Sequence, residues 1–496
     1  MAEQANEQEY FRRKHLDELA AAGIDPYPTK FEQTHRCLDF IKEFDELAPG
    51  ENNASSVRLS GRIMAIRGAG RLMFMDLHDE QGKVQLMISK GAVGDDAFSR
   101  LGALDVGDLI GVAGQPLRSK RGELSIAVMH WELLAKCLLP LPEKWHGLRD
   151  TEIRYRQRYL DLLMNPEVRK LFRLRSTFIR EMRRFMESYD FMEVETPVLE
   201  LIPGGADAQP FATHHNALDL DMYLRISLEL HLKRLLVGGF ERVYEIGKVF
   251  RNEGMSTEHL QEFTLMECYW AYIDYHRLMT FIEEMYCTLI ERTIGSLKVT
   301  FRGQVLDFTP PWPRHDYREL ILAHTGLDLD AYPDVESMAA ALPHYGIEPD
   351  QHLGRGRLID QLFKKASRPQ LMQPCFLMDH PVDISPLAKR QPKRPTYVQR
   401  FQVVFGGSEV GNAFGELNDP VDQAGRFRQQ AALREKGDQE AQRFDADFLR
   451  ALHYGMPPAA GFGVGIDRFI YILTDAGSIR ETVFFPTMRP LGEEAE

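Results

Sequence analysis

The sequence predicts an α+β protein in which a small five-stranded barrel precedes a larger domain of mainly antiparallel strands flanked by helices. Three observations predict it. Between Val57 and Leu134 the β-rich runs RLSGRIMAI, LMFMDLHD, KVQLMIS, DLIGVAG and ELSIAVMHWELL follow one another, separated by Gly and Asp turns. From about Leu171 onward, runs with apolar residues at helical spacing, such as LFRLRSTFIREMRRFMESY, are interleaved with strand-like runs such as RVYEIGKVF and QEFTLMECYW. No self-similarity recurs at a period of about 20–50 residues, which excludes a solenoid.

At 496 residues the chain suits two or three domains. With 44% hydrophobic and 27% charged residues it is an ordinary globular chain rather than a disordered one. A net charge of −13 excludes a wholly basic nucleic-acid coat but leaves room for a local basic face. No apolar run reaches about 18 residues, so no membrane span is predicted. The segment Met1–Tyr10 is polar and acidic, so no secretory signal is expected and the expected location is cytoplasmic. Cys37, Cys137, Cys268, Cys287 and Cys375 are scattered, without C-x-x-C or zinc-type His/Cys spacing; neither a disulfide framework nor a zinc site is predicted.

In chain order, residues 1–56 read as an N-terminal helix and linker. A charged helix over 7–22 is stopped by Gly23 and Pro26, and a linker-like stretch runs from Pro49 to Ser56. Residues 57–140 form the barrel. Short strands at this spacing suit a Greek-key barrel of the oligonucleotide-binding (OB) type; the pattern alone leaves a purely structural barrel equally open. Residues 141–170 read as a linker that begins in the Pro-punctuated stretch Pro140–Gly147. Arg149–Arg184 then holds eleven Lys/Arg against five Asp/Glu. The usual meaning of such a run is a solvated helix face, and nucleic-acid contact is the rarer one. Residues 171–496 form the second domain. In it FMEVETPVL is predicted as a strand ending near Pro197, DMYLRIS as another strand, ELHLKRLL and DYHRLMTFIEEMYCTLIERTI as helices, and 328–374 as a polar helical insertion.

Three segments of this domain carry candidate chemistry. The Gly-rich stretch Gly461–Arg468 is not a dinucleotide loop, because Ile466 stands where the third glycine of G-x-G-x-x-G belongs. It reads instead as a strand running into a helix over 467–473. Arg468 in the first turn of that helix opposes the helix dipole, so it calls for an anionic partner, and phosphate is the natural one. Between Val243 and Trp270 lie two strands joined by a polar loop, Asn252–Gln261. Phe263, Leu265, Glu267 and Tyr269 share a face by the period of two, with Arg251 at the rim. They form either a ligand wall or a half-buried strand whose acid pairs with a neighbouring arginine. Finally, Asn412, Phe414 and Glu416 share a face of the strand over 406–417, whereas Glu409 has the opposite parity and needs either a bulge to join them or a different role. An acid there, near a phosphate site, could hold Mg²⁺.

Taken together, these segments resemble the class II aminoacyl-tRNA synthetases, and within them the lysine branch, over nearly the whole chain. FMEVETPVL with Pro197 is similar to the first class II signature, a dimer-interface element. Phe250–Gly254 with Glu262-Phe263 is similar to the second, and Gly463–Arg468 to the third. The lysine branch is indicated by GGADAQPFATHHNALDLDMYLRIS, LKRLLVGGFERVYEIG, HPVDISPLAKR, GELNDP, YGMPPAAGFG and FFPTMRP.

The resemblance implies an OB-fold anticodon-binding domain and a class II catalytic domain. It implies ATP-dependent activation of L-lysine to lysyl-adenylate, transfer to the 3′ end of tRNA(Lys), Mg²⁺ accompanying ATP, and a homodimer with no membrane partner. It assigns the α-phosphate and the lysine carboxylate to Arg251, within the motif that also carries Glu253. His259 is assigned to the outer phosphates, Phe263 to stacking on adenine, and Arg468 to the other face of that base near the γ-phosphate. Gly205, Glu229 and Glu267 are implied around the amino-acid end. Tyr269 and Glu416 are implied on the ε-ammonium, with Asn412 and Phe414 shaping the pocket. Arg67, Phe74, Gln85 and Glu123 occupy the barrel positions that read the anticodon, by stacking and hydrogen bonding to unpaired bases.

The chain departs from the family pattern at three places. His259 is followed by Leu260-Gln261 where Asn-Pro is usual, and Leu228 replaces a proline ahead of Glu229. At the metal site Gln402 replaces the first carboxylate, leaving Glu409 as the acid; an amide offers a carbonyl oxygen but no charge. Two alternatives therefore stay open at this level: a divergent paralogue that passes lysine to an acceptor other than tRNA, and a catalytically weak tRNA-binding or regulatory paralogue.

Overall fold

The computed structural model describes residues 2–142, 148–254, 256–350, 353–438 and 440–490. Met1, 143–147 of the predicted linker, Met255, 351–352 of the predicted insertion, Gln439 and 491–496 lie outside the described residues. The chain divides into two compact units after Leu148.

In the first unit the apolar–polar alternation closes five strands into a barrel: β1 (Val57–Ala69), β2 (Leu72–His78), β3 (Lys83–Ser89), β4 (Leu109–Arg118) and β5 (Leu124–Ala135), in the order β1-β2-β3-β5-β4. Only β3 and β5 run parallel. One parity, including Met75, Leu77, Leu86, Ile88, Ile126 and Val128, fills the interior; the other faces out. The N-terminal helix runs over Ala2–Ala21 and a second over Cys37–Phe44. Leu19, Cys37, Phe40 and Phe44 join the barrel's own core, so residues 1–56 are not a separate appendage. The apolar residues of the second helix recur at helical spacing, and the barrel gives that stripe a place to bury. Within the expected linker 49–56, Asn52 bridges to Leu117.

The second unit is built on an eight-stranded sheet. Its strands are β6 (Met192–Glu193), β10 (Arg242–Phe250), β11 (Glu262–Ala271), β14 (Arg314–Asp316), β15 (Cys375–Met378), β16 (Arg400–Phe405), β17 (Ser408–Gly415) and β18 (Ala459–Gly465), in the order β14-β15-β16-β17-β18-β11-β10-β6. Pairing is antiparallel except at the two edges, where β14 joins β15 and β6 joins β10 in parallel. A separate sheet contains β7 (Leu199–Glu200), β8 (Ala212–His215) and β9 (Leu220–Leu224), and β12 (Lys298–Phe301) forms a hairpin with β13 (Gln304–Asp307). The helices Pro166–Ser188 and Tyr275–Ile294 cover one sheet face. Phe178, Met182, Phe281, Ile282 and Met285 pack there against Met266, Cys268, Phe462 and Val464. The second helix stops at Gly295, whose φ of 82° is the left-handed cap that glycine adopts without strain.

Four expectations need correction. FMEVETPVL is not one strand: it makes the two-residue strands β6 and β7, which belong to different sheets, because Pro197 has no N–H to donate to a ladder. The predicted linker 141–170 is helical over Thr151–Arg156 and Arg158–Met164. The basic stretch is not simply a solvated face. Arg158 is fully buried and pairs with Asp161 at 2.6 Å, Arg154 pairs with Asp161 at 2.9 Å, and Arg175 pairs with Asp467 at 2.7 Å. Within the polar insertion, Leu329, Met338, Leu342, Leu358, Ile359, Leu362 and Phe363 form a core with Tyr317 and Ile321.

Candidate active site

The site grows from the glycines of β18. Residues of alternate parity in a strand point to opposite faces. Phe462 and Val464 go down into the helix-covered core, whereas Gly461, Gly463 and Gly465 face the other way with no side chain. The strand is therefore a bare floor between the side chains of its neighbours. Cross-strand partners place Tyr269, Gly461, Phe414 and Arg400 in one row across β11, β18, β17 and β16, and Glu267, Gly463, Asn412 and Gln402 in the next. A Cβ at position 461 would run into the Tyr269 ring and Glu416 Oε1.

One end of this trough is acidic and closed. Glu229 opens the helix Glu229–Val237, Glu267 and Tyr269 come from β11, and Glu416 follows β17; all four are buried. Gly205 comes against Glu229: a Cβ there would lie 3.0 Å from Glu229 Cβ, and its φ of 84° suits glycine alone. Glu267 accepts hydrogen bonds from Ser227 Oγ at 2.8 Å, from the Leu228 N–H at 3.1 Å and from the Tyr269 hydroxyl at 3.0 Å. Burial first, then the neighbouring Glu229, pushes its pKa up to about 7. The Glu416 carboxyl is raised as well, through burial. Between Glu229 and Glu416 sits Lys233, fully buried, with Nζ 2.5 Å from Glu229 Oε1 and in contact with Glu416 Oε2. Burial opposes its charge, but the two carboxylates outweigh that and raise its pKa. Arg225 and Glu245, paired at 2.7 Å, close the adjacent wall.

The other end is cationic and open. Arg251 leaves β10 with its guanidinium 5.1 Å above the Phe263 ring and its Nε donating to the Ile226 carbonyl at 3.3 Å. Arg468, in the first turn of the helix Ile466–Leu473, donates to the backbone carbonyls of Glu409 at 3.0 Å and Glu258 at 3.3 Å. Both arginines spend their donors on neutral acceptors, which leaves their charge for a ligand. Glu253 lies on the loop between β10 and β11. His259, on the same loop, has Nδ1 2.8 Å from Ser256 Oγ; desolvation, then the charge of Arg468, lowers its pKa.

Glu409 reaches this side through the bulge that its parity requires. Val403 pairs with Gly411 and Val404 with Glu409, so Val410 is the extra residue and turns into the core. Gln402 Nε2 donates to Glu409 Oε2 at 2.7 Å. Among the described residues no three His, Cys, Asp or Glu side chains gather as a metal cage. One carboxylate beside an amide fits Mg²⁺ carried in on nucleotide phosphates, since that ion keeps several waters and takes only one or two protein acids.

On the barrel, Arg67 is the cross-strand partner of Phe74, and Gln85 pairs with Asp76 and Ser125. Arg67, Phe74 and Gln85 thus share the outward face of β1, β2 and β3. Exposed Glu123 lies immediately before β5, with the parity of Ser125. Arg67 pairs with Asp76 at 2.6 Å, and Ser125 Oγ donates to Gln85 Oε1 at 3.1 Å.

Residues 150–489 match the family described as tRNA synthetases class II (D, K and N), and residues 57–134 match the OB-fold nucleic acid binding domain. The chain belongs to the class II tRNA synthetases. It is 50% identical over 482 residues to the lysine–tRNA ligase of Moorella thermoacetica, covering 97% of this chain and 98% of that one. It is 49% identical over 487 residues to the lysine–tRNA ligase of Roseiflexus castenholzii, covering 98% and 99%. The family match spans both ends of the trough, and the OB-fold match spans all but the last residue of the barrel strands.

The sequence does not reveal Lys233, Arg225 or the floor role of the β18 glycines. In ELHLKRLL, Glu229 and Lys233 stand four apart, which reads as an ordinary surface pair on a helix. Nothing local signals that both are buried against Glu416.

Proposed function

We propose that the protein activates L-lysine with ATP, forming lysyl-adenylate and pyrophosphate, and then transfers lysine to the 3′ end of tRNA(Lys). The observation that carries this reading is the charge layout of the trough. Glu229, Glu267 and Glu416 exceed Lys233 by two charges at the closed end, and at the junction Arg251 makes no ion pair among the described residues. L-Lysine brings two ammonium groups and one carboxylate, so the ligand and the site complement each other in number, sign and position.

In the first step a lysine carboxylate oxygen attacks the α-phosphorus of ATP, and pyrophosphate leaves in line. In this reading Arg251 holds the lysine carboxylate against the α-phosphate, Phe263 stacks on adenine, and Arg468 and His259 meet the outer phosphates, with Glu253 beside them. Tyr269 and Glu416 receive the ε-ammonium; Glu229, Glu267 and the Gly205 backbone receive the amino-acid end; Asn412 and Phe414 shape the walls. Placing the reactants and stabilising phosphate charge supply most of the rate, with little acid–base chemistry. Glu409, with Gln402 beside it, would hold Mg²⁺, which would supply neutralisation of phosphate charge. In the second step the terminal hydroxyl of tRNA attacks the acyl carbon and AMP leaves. The outward barrel face with Arg67, Phe74, Gln85 and Glu123 selects the tRNA by its anticodon.

The assembly is a homodimer in the cytoplasm. Val198, Leu199, Leu201, Ile202, Leu218 and Leu220 are exposed around β7 and β9, an apolar surface of the kind that a partner subunit covers. The test is lysine-dependent pyrophosphate exchange together with charging of purified tRNA. Both activities are expected; tRNA binding without exchange would make the protein a regulatory binder instead.

A further inference from the structure

Glu229 and Glu416 are not an empty pair of acids waiting for a ligand. A lysine of the chain itself lies between them, with 0% of its side chain exposed. Every charged or titratable group facing this lysine can be named. Glu229 lies one turn back on its own helix, Glu416 follows β17, and Glu267 and Tyr269 come from β11. Farther out, Arg400 from β16 and Asp207 from the loop after Gly205 act on Glu229 with opposite sign and offset each other. Arg400 donates to Asn412, Ile384 and Ser385, and Asp207 is paired with Arg357 at 3.5 Å. Arg225 and Glu245 neutralise one another. What remains is three carboxylates and one ammonium in a site closed to water.

We propose that Lys233 is a specificity-determining residue of the amino-acid pocket: a resident ammonium that cancels one of the three acids and sets the charge left for the substrate at two. This rests on the reading of the site as a lysine pocket. A buried carboxylate without a cation takes up a proton rather than stay charged. With Lys233 in place, one equivalent of acid is permanently ionised and the other two exchange protons for the α- and ε-ammonium groups of the substrate. Without Lys233 the site holds one proton more: a diammonium ligand displaces two of the three, and the last leaves only at higher pH, when the third acid ionises as well. Lys233 touches no reacting atom; it acts through Glu229 and Glu416.

The test is Lys233→Met in the full-length protein, with pyrophosphate exchange measured from pH 6.5 to about 9, where the extra proton is lost again. The expected result is a lysine KM raised about tenfold or more at pH 7, since one pKa unit is a factor of ten. That defect shrinks as pH rises, while kcat at saturating lysine and KM for ATP stay near wild type. Glu267→Gln removes one acid where all three hydrogen-bond donors are neutral. The double variant Lys233→Met/Glu267→Gln restores the difference of two and binds lysine more tightly than Glu267→Gln alone. That comparison stands even if Lys233→Met by itself does not fold. A KM defect equal at every pH, or a double variant no tighter than Glu267→Gln, overturns the proposal and leaves Lys233 a packing residue. Absence of lysine-dependent exchange in the wild type would instead overturn the reading of the pocket and is told apart by that control.

Discussion

The two ends of the trough are built on the same four strands, yet they solve opposite electrostatic problems. At the closed end three carboxylates are taken out of water, and each is held by groups of the protein itself: Ser227, Leu228 and Tyr269 on Glu267, and Lys233 on Glu229 and Glu416. At the open end the half-buried Arg251 and Arg468 rest on carbonyl oxygens or an aromatic face, with no ion pair to either among the described residues. Burying a charge requires a partner built into the fold, whereas a charge left near water can wait for the ligand. In the proposed reading the closed end decides which amino acid enters, and the open end holds whatever carries phosphates.

Perturbing each end separately sharpens this contrast. The largest effect is expected from Glu416→Gln, which leaves a desolvated ammonium without its carboxylate, a loss of about 3–5 kcal/mol. Lysine-dependent exchange should fall by roughly two to four powers of ten, at about 1.4 kcal/mol per tenfold. ATP binding without lysine, measured by titration, should not change. If melting temperature and ATP affinity fall together instead, Glu416 serves only Lys233.

Arg468→Met should act in the opposite sense. Loss of a hydrogen bond from a charged donor is worth about 1.5–3 kcal/mol, so KM for ATP in the exchange assay should rise by roughly one to two powers of ten. KM for lysine should move little, and a matching rise there would break the separation of the two ends.

Phe74→Ala tests the barrel face. Losing one base stack should lower tRNA charging by about 1–3 kcal/mol while exchange stays unchanged. Equal loss in both assays would give Phe74 a role in the catalytic fold.

The closed end should also be the one that senses pH. Burial raises Glu267 to about 7, so below that pH it is protonated and has no charge to offer an ammonium. KM for lysine should therefore rise as pH falls through about 7, by about tenfold per unit for each acid that takes up a proton, and should level off only above the range in which Glu416, also raised by burial, ionises. KM for ATP should not follow that curve through Glu267.

The smallest effect is expected at the metal position. Gln402→Glu replaces the 2.7 Å amide–carboxylate hydrogen bond with two adjoining carboxylates. Without metal the repulsion should lower the melting temperature by about 2 °C, and ATP with Mg²⁺ should restore it. An unchanged melting curve with and without Mg²⁺ would mean that Glu409 works alone.

Much of this was legible in the sequence. Period-two alternation located the barrel strands as well as β10 and β11, and helical spacing located the long helices. The parity of Glu409 pointed to a bulge or a different role, and Val410 supplies the bulge; the missing third glycine ruled out a dinucleotide loop. These features are set by residues close in the chain, where sterics and hydrogen bonding act locally. Other features could not be read. FMEVETPVL looks like one strand because apolar alternation continues across it, yet the two pieces on either side of Pro197 pair in different sheets. The glycines of β18 become a binding floor only because β11 and β17 flank them with side chains. Glu229 and Lys233 look like a surface pair on a helix until Glu416, from a strand end far along the chain, closes over both. The sequence by itself determined which segments are strands and helices and which side chains they present. Tertiary structure alone decided which charges lose their water and must face one another, because desolvation depends on everything packed around a group, not on its neighbours in the chain.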